Sequence, residues 1–349
     1  MLSLFQKLKS WLANGEKTAL ATVVETWGSS PRPVGSQMVF SSNDEFAGSV
    51  SGGCVENAVI VAAQEVMASC RSKLLDFTVS SDTAFSVGLS CGGKIKIFIQ
   101  PFSDNKVHHD LLTCVLDKKP ASYVMHMTED GHDFLFIENT SIGDGKDDDS
   151  KNYTPSLHSD IAHIPAEILE KINTTTSAAV PSTGPLPKDY FLLRLIPPFQ
   201  LTVIGAGHIA VKLAALAHVM EFDVVVIDPR AALVTTQRFP KAEIHHKWPD
   251  SILPDLPLNK NTALVALSHD PKIDDPALIW AMKNQVKYIG ALGSRTMHAQ
   301  RIERLRQHGF TQDDINRIHA PIGLDIAAKT AEEIALSILA QIVAERNAS

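Results

Sequence analysis

The sequence is poor in cysteine and aromatic residues, and it contains no long uninterrupted apolar run. Its 349 residues include four cysteines, which are too few for a disulfide scaffold in a chain of this length. Charged residues interrupt the apolar positions of the N-terminal segment, and this excludes both a signal-peptide core and a membrane span. Those positions have helical spacing and predict an amphipathic first helix: Leu4, Phe5, Leu8, Trp11 and Leu12. We therefore expect a cytoplasmic protein with reduced thiols and no membrane partner.

The chain also lacks an excess of basic residues. Its formal net charge is −7, from 32 basic and 39 acidic residues. Residues 1–199 hold 16 basic and 23 acidic side chains, and residues 200–349 hold 16 of each. Because a general nucleic-acid binder needs a basic surface, this charge distribution argues against nucleic acid as a partner.

The chain length predicts two domains. From Leu201 onward, strands and helices alternate, which is typical of a parallel sheet covered on both faces. The predicted fold class is α/β, with a Rossmann-type doubly wound sheet at 191–349 and an α+β domain at 1–190. The predicted C-terminal strands lie at 201–204, 224–227, 242–244, 263–267 and 286–292, and the helices at 209–220, 276–284, 296–307 and from Thr330, where Glu333 completes a capping box.

The first domain carries fewer regular signals. Strands are predicted at 19–25, 37–40 and 94–100, a helix at 55–69, and a hairpin from 122–127 and 133–138. Asp, Ser and Gly dominate the segment 139–160, which we interpret as an exposed, flexible acidic loop. Segment 174–188 has the composition of a linker.

The strongest motif is LTVIGAGHIA at 201–210. Gly205, Gly207 and Ala210 match the dinucleotide fingerprint between a strand and a helix, whose N-terminus favours phosphate. Asp228 ends the next strand, where a partner for a ribose hydroxyl belongs. These residues predict a nucleotide site.

Further side chains follow the strands at the same edge of the sheet. His208 and Arg230 fit either ligand contacts or ordinary solvated positions. His269 with Asp270 fits either a site or a turn and cap before Pro271. Ser294 and Arg295 open a helix after Gly293 and fit a second anion cradle.

Two glycine–cysteine loops mark the first domain. One contains Gly52, Gly53, Cys54 and Glu56 before a helix, and the other contains Cys91 before Gly92-Gly93. Consecutive glycines can form a nest of N–H donors for an anion, and a helix N-terminus lowers the pKa of a thiol. The alternative is that both cysteines pack as small apolar residues. Arg32 lies between two prolines, which suits either a fixed anion contact or a rigid turn.

Taken together, the segments TVVETWGSSPRPVGSQM, GSVSGGCVEN, VIGAGHIA, VVVID, YIGALGSR and PIGLDIAAKTAEEIALSILAQI resemble the XdhC/CoxI family of xanthine dehydrogenase accessory proteins. The resemblance covers nearly the whole chain except about 105–188. It implies a chaperone that binds molybdenum cofactor, as molybdopterin or its dinucleotide form. It further implies help with sulfuration, together with a cysteine desulfurase, and delivery to a xanthine or aldehyde dehydrogenase apoprotein.

We therefore expect a maturation factor without catalytic residues, and a homo-oligomeric, dimeric assembly. Cys54 and Cys91 are the candidate residues for contact with molybdenum or for handling sulfur. The expected cofactor-binding residues are Arg32, Gly52, Gly53, Cys54, Glu56, Cys91, Gly205, Gly207, His208, Asp228, His269, Ser294 and Arg295. Two alternatives stay open: an NAD(P)-dependent oxidoreductase, and a redox sensor that pairs Cys54 with Cys91.

Overall fold

The computed structural model describes residues 1–27, 32–53, 55–78, 94–131, 133–137, 165–168, 183–256, 258, 261–284 and 286–348. The chain divides into two compact units, Met1–Pro197 and Pro198–Ser349. The boundary predicted after residue 190 lies slightly before this division. Within the described residues, no helix has the length and apolarity that a membrane crossing requires.

The first unit contains two antiparallel sheets, with strand orders β3-β2-β1-β5-β4 and β7-β6-β9-β8. Its described helices are α1 (Leu2–Ala13), α2 (Glu56–Ser69) and α3 (Lys106–Leu116). Its described strands are β1 (Thr18–Trp27), β2 (Gln37–Ser41), β3 (Phe46–Gly48), β4 (Lys73–Thr78), β5 (Lys94–Phe102), β6 (Ala121–His126), β7 (Phe134–Ile137), β8 (Gly184–Leu186) and β9 (Tyr190–Leu195).

Both faces of the first sheet are buried, because alternate residues of β1 point to opposite sides. Ala19 and Ala21 pack in the cluster that includes α2. Leu20 packs in a second cluster, with Phe5 of α1 and Tyr123 of β6. Helix α2 therefore covers one face, and the other face shares a core with α1, α3 and the second sheet.

Several predictions for this unit are confirmed. Helix α1 buries Phe5, Leu8 and Trp11 as an amphipathic helix should. The predicted hairpin is present as β6 and β7, with Tyr123 opposite Leu135. Part of the predicted linker is instead the strand β8, which pairs with β9. The predicted acidic loop at 139–160 lies outside the described residues.

The second unit is a single parallel sheet with the strand order β12-β11-β10-β13-β14-β15. Its described strands are β10 (Gln200–Ile204), β11 (Asp223–Ile227), β12 (Glu243–His245), β13 (Thr262–Ala266), β14 (Tyr288–Ala291) and β15 (Ile318–His319). Its described helices are α4 (His208–Val219), α5 (Pro249–Ile252), α6 (Pro271–Lys283), α7 (Arg295–Gln307), α8 (Gln312–Asn316) and α9 (Ala331–Asn347).

This strand order is that of the Rossmann fold, so the predicted fold class is confirmed. Along β11, Val224 and Val226 contribute to one core cluster and Val225 and Ile227 to another, because helices cover both faces of the sheet. The order of the strands reverses between β10 and β13, and ligands of such sheets bind at this switch point.

Helix α6 begins earlier than the predicted start at Pro276. It starts at Pro271, because the side chain of Asp270 accepts a hydrogen bond from the N–H of Lys272 and proline is favoured at the first helical position. Pro276 lies inside the helix. The capping box predicted at Thr330 and Glu333 is present at the start of α9.

Candidate functional site

The turn between β10 and α4 has the geometry of a phosphate-binding turn. Gly205 has a φ of +92°, and a Cβ at this position would lie 2.6 Å from the Cα of Ser268, which follows β13. Only glycine fits this close approach of two chain segments at the switch point. Ala210 is fully buried, where a small side chain lets α4 pack on the sheet.

Gly207 is the N-cap of α4, and no side chain caps this helix. Its φ of −68° and ψ of −172° are open to any residue, and a Cβ would meet no atom within 4 Å. The N–H groups in the first turn of α4 therefore have no side-chain acceptor. A helix start with such N–H groups suits an anion. His208, the first residue of α4, is exposed beside them.

Asp228 lies fully buried just after β11. One of its carboxylate oxygens, Oδ2, accepts from the backbone N–H of Ala206 at 2.7 Å. Burial acts to raise the pKa of Asp228, but the hydrogen bonds from Arg230 and Ala206 outweigh it and hold that pKa below its ordinary value. The carboxylate is thus ionised and tied to the glycine turn, in the position predicted for a ribose partner.

The segment after β13 is held by a buried carboxylate. The Oγ of Ser268 donates to Asp274 at 2.7 Å, and burial raises the pKa of Asp274. The guanidinium of Arg301, itself buried, lies 4.0 Å from Asp274 and donates to the carbonyl of Leu292. The sequence gives no sign of this cluster, which positions Ser268 against Gly205.

His269 and Asp270 do not form a hydrogen-bonded pair within the described part of the chain. His269 is exposed and has a φ of +64°, and the carboxylate of Asp270 caps α6. Of the two alternatives for this segment, the geometry favours a turn and cap.

Ser294 caps α7. Its Oγ accepts from the N–H of Met297 at 3.2 Å, and Arg295 is exposed as the first residue of the helix. An anion at this helix start would share the donors with Ser294. The role predicted for these two residues in binding remains a prediction.

Glu56 occupies the nest of the first glycine loop. Its carboxylate accepts from the backbone N–H groups of Ser51, Gly52 and Gly53 at 2.8 to 2.9 Å, and from the hydroxyls of Ser49 and Ser51. Burial acts to raise the pKa of Glu56, but the bonds from Ser51, Ser49 and Gly53 lower it to about 2.

These contacts give Glu56 a definite structural role: it closes the loop that precedes α2. An external anion could bind the N–H groups of this loop only by displacing the carboxylate of Glu56. The binding roles predicted for Gly52, Gly53 and Glu56 stay predictions.

The two predicted reactive thiols, Cys54 and Cys91, lie outside the described residues. Arg32 is described and exposed. Within the described ranges, no group of three or more His, Cys, Asp or Glu side chains is arranged to hold a metal ion.

Comparison with known proteins gives consistent results over both units. The model of the XdhC Rossmann domain matches residues 201–342, and that of the XdhC and CoxI family matches residues 11–78. A protein of Bacillus subtilis described as a probable xanthine dehydrogenase subunit is 28% identical over 97% of this chain and 96% of its own length. The molybdenum cofactor insertion chaperone PaoD of Escherichia coli is 26% identical, over 96% and 85%.

The fold is also similar to that of a solved structure, a xanthine dehydrogenase from Bacillus halodurans. The TM-score is 0.74 at 25% identity, over 98% of this chain and 95% of that one. The residues matched by the two family models make up more than half of the chain. They include the glycine turn after β10 and the loop before α2. Both units of the chain therefore match models of the XdhC and CoxI family, and the second unit is an XdhC Rossmann domain.

Proposed function

We propose that this protein is a maturation chaperone for a molybdenum hydroxylase of the xanthine dehydrogenase type. In this role it binds molybdenum cofactor as cargo, supports its sulfuration together with a cysteine desulfurase, and delivers it to the apoprotein. PaoD, which is similar over nearly the full chain, is a molybdenum cofactor insertion chaperone. The B. subtilis relative is a probable xanthine dehydrogenase subunit.

The observation that carries the proposal is the open start of α4 at the switch point of the sheet. Gly207 leaves the first-turn N–H groups without a side-chain acceptor, and no atom of the described residues lies within 4 Å of the place where a Cβ would stand. Both forms of the cofactor carry phosphate, which this helix start would hold, and a nucleotide ribose would lie next to Asp228. Cys54 and Cys91 would handle the sulfur.

The test is the small molecule that copurifies with the protein from cells that make molybdenum cofactor. We expect a released, oxidised pterin, identified by its mass and fluorescence. Gly207→Asp should abolish it, because the new carboxylate would take the helix N–H groups and repel phosphate while still capping α4. Gly207→Ser is the matched control: it caps without charge and should keep more pterin than Gly207→Asp.

Two results would count against the proposal. The first is no pterin on the wild-type protein. The second is equal pterin on the wild-type protein, Gly207→Asp, Cys54→Ala and Cys91→Ala. A melting temperature measured for each variant separates loss of binding from loss of folding.

The Rossmann unit also favours a second candidate, an NAD(P)-dependent oxidoreductase, since Asp228 and the glycine turn would serve a dinucleotide equally well. His269 with Asp270 is the best candidate for the acid–base pair that such an enzyme needs, but the carboxylate of Asp270 caps α6. Titration with NADH and NADPH distinguishes the two functions: saturable binding together with turnover of a substrate would favour the oxidoreductase.

A further inference from the structure

A cleft of about 560 Å³ lies within the first unit, between β5, α3 and the β6–β7 hairpin. This volume falls in the range of small-molecule sites. Phe98, Pro101, Val107 and Phe134 supply apolar walls. None of the sequence motifs includes a residue that lines this cleft, and no described residue of the first glycine loop or of the Rossmann turn lines it.

Polar side chains of the cleft converge on one carboxylate oxygen. The Oδ2 of Asp133 accepts from the hydroxyl of Tyr123 at 2.5 Å and from the Nε2 amide of Gln100 at 2.8 Å, and the Nε2 of His108 lies 3.2 Å away. Tyr123, Gln100 and His108 are all at least nine-tenths buried. Burial and the nearby Asp133 raise the pKa of Tyr123 well above its ordinary value, so its hydroxyl stays a donor.

The contacts of His108 fit either tautomer of its ring. Its Nδ1 lies 3.1 Å from both the backbone nitrogen and the carbonyl oxygen of Ser103, and 3.2 Å from the Nδ2 of Asn105. Its Nε2 lies 3.3 Å from the hydroxyl of Tyr123 as well as 3.2 Å from Asp133. The hydroxyl of Tyr123 and the amide of Gln100 are therefore the two defined donors that hold the carboxylate in place.

Two acceptors of this cluster have no donor among the described residues. The Oε1 of Gln100 is buried and has no hydrogen-bond partner, which is costly in a folded protein. All described contacts of Asp133 go to Oδ2, and its side chain is 15% exposed, so Oδ1 is available. The Gln100 and Asp133 side chains both line the cleft.

The charge of the residues that line the cleft also favours a ligand that donates hydrogen bonds. Glu129, Asp130 and Asp133 line the cleft, and no lysine or arginine does so among the described residues. This lining repels phosphate and favours a group that donates N–H bonds. The two acceptors without donors, Oδ1 of Asp133 and Oε1 of Gln100, suit a ligand edge that presents two neighbouring N–H groups.

We propose that this cleft binds a flat heterocycle through an edge with two adjacent N–H donors, the 2-amino-4-oxo edge that pterins and guanine share. The Oδ1 of Asp133 accepts one donor of this edge, the Oε1 of Gln100 accepts its neighbour, and the apolar walls cover the ring faces. That the pterin of molybdenum cofactor is one source of this edge rests on the proposed function. The chemistry of the edge rests on the cleft alone.

Cys70 supplies a reporter for occupancy. It lines the cleft and is exposed, whereas Cys114 is buried. Cleavage after Glu65 and Arg71 with Glu-C and trypsin isolates Cys70 in the peptide 66–71, apart from the other cysteines. The rate of alkylation of Cys70 by iodoacetamide can then be followed by mass spectrometry on the unmodified protein.

The experiment titrates the full-length protein with neopterin and with guanosine by calorimetry and by Cys70 alkylation. Lumazine is the ligand control, since it keeps the pteridine ring but has an oxygen in place of the 2-amino group and lacks the side chain of neopterin. We expect neopterin or guanosine to bind and to slow alkylation of Cys70, and lumazine to do neither. Asp133→Asn should weaken binding by ~10-fold or more through loss of a charge-assisted hydrogen bond, and Asp117→Asn, an exposed position outside the cleft, should leave it unchanged.

Binding of neopterin alone would assign the cleft to a pterin, and binding of guanosine alone to a nucleotide base. The proposal is overturned if neither binds, if lumazine binds equally well, or if the folded Asp133→Asn variant binds like the wild type. If cofactor still copurifies in those cases, the proposed function stands without this cleft. If no cofactor copurifies but neopterin or guanosine binds as expected, the cleft stands without the proposed function.

Discussion

The guanidinium of Arg230 donates two parallel hydrogen bonds to the carboxylate of Asp228. Its Nε donates to Oδ1 at 2.9 Å and its Nη2 to Oδ2 at 2.6 Å, and its backbone N–H donates to Oδ1 at 2.8 Å. With the N–H of Ala206, each carboxylate oxygen accepts two bonds. The acid at the end of β11 is therefore ordered by the chain itself.

Replacing Arg230 should destabilise the second unit. Arg230→Ala leaves the buried carboxylate of Asp228 with fewer donors, and we expect a loss of about 1–2 kcal/mol, reduced by the partial exposure of the guanidinium. Urea unfolding at neutral pH measures it. Arg295→Ala, at an exposed position, is the control and should change stability little.

The pH dependence of this pair follows from the lowered pKa of Asp228. Its ordinary pKa is 3.8, and the folded value lies below that. The stability that it contributes is complete above the unfolded pKa and is lost as the pH falls through the folded pKa. The difference in unfolding free energy between the wild type and Arg230→Ala should become smaller below about pH 4. A difference that grows there would contradict the lowered pKa of Asp228.

Glu56→Gln should destabilise the first unit. The neutral amide cannot accept all the bonds that the loop now donates to the carboxylate, and its NH₂ group faces backbone donors. The pKa falls from 4.5 to about 2, which corresponds to about 3 kcal/mol before screening and to about 1–2 kcal/mol after a discount for partial exposure. Chemical denaturation at pH 7 measures the loss.

The same variant has a distinctive acid profile. The stabilisation by Glu56 is complete above the unfolded pKa of 4.5 and declines as the pH falls toward about 2. Glu65→Gln removes an exposed carboxylate of α2 that pairs with Lys73, so it should show a much smaller effect. Equal losses of stability in Glu56→Gln and Glu65→Gln would mean that the hydrogen bonds from the glycine loop to Glu56 do not stabilise the first unit.

Gly205→Ala should be far more harmful than another glycine replacement with a similar backbone. Gly205 and Gly309 have φ values of +92° and +85°. A Cβ at Gly205 would lie 2.6 Å from the backbone of Ser268, whereas one at Gly309 would meet nothing within 4 Å. Gly309→Ala should cost about 1–2 kcal/mol for the left-handed backbone alone.

The difference between these two variants isolates the close approach of the β10 and β13 loops. Thermal unfolding should show a clearly lower melting temperature for Gly205→Ala. Similar melting temperatures for Gly205→Ala and Gly309→Ala would show that the backbone at Ser268 moves away from the new Cβ without a loss of stability.

Thr330→Ala should weaken the start of α9. The hydroxyl of Thr330 accepts from the N–H of Glu333, and the carboxylate of Glu333 accepts from the N–H of Thr330. Loss of such a cap costs about 0.5–2 kcal/mol, measurable as a shift in the urea midpoint. Thr330→Ser keeps the hydroxyl and should retain most of the stability; an equal loss in both would point away from capping.

The sequence predicted five of the six described strands and the four longest described helices of the Rossmann unit, because their signals are local. The alternation of strands and helices, the glycines around Ala206, and Thr330 with Glu333 each act within a few residues of one another. Asp228 could be placed because it ends the strand next to the glycine turn. The true start of α6 was missed because a proline inside the helix, Pro276, resembled a helix start.

The cluster around Asp133 could not be predicted in the same way. Gln100, His108 and Tyr123 lie on β5, α3 and β6, and each alone resembles an ordinary polar residue in a strand or a helix. The contact between Glu56 and its own glycine loop was equally hidden, since consecutive glycines predict N–H donors but not the group that accepts from them.

The sequence by itself determined the parallel α/β unit, its glycine turn and the resemblance to the XdhC/CoxI family, because propensity, periodicity and motif spacing are properties of neighbouring residues. Only the tertiary structure decided which polar groups meet, because hydrogen bonds such as those on Asp228, Glu56 and Asp133 depend on distances set by the packing of separate elements.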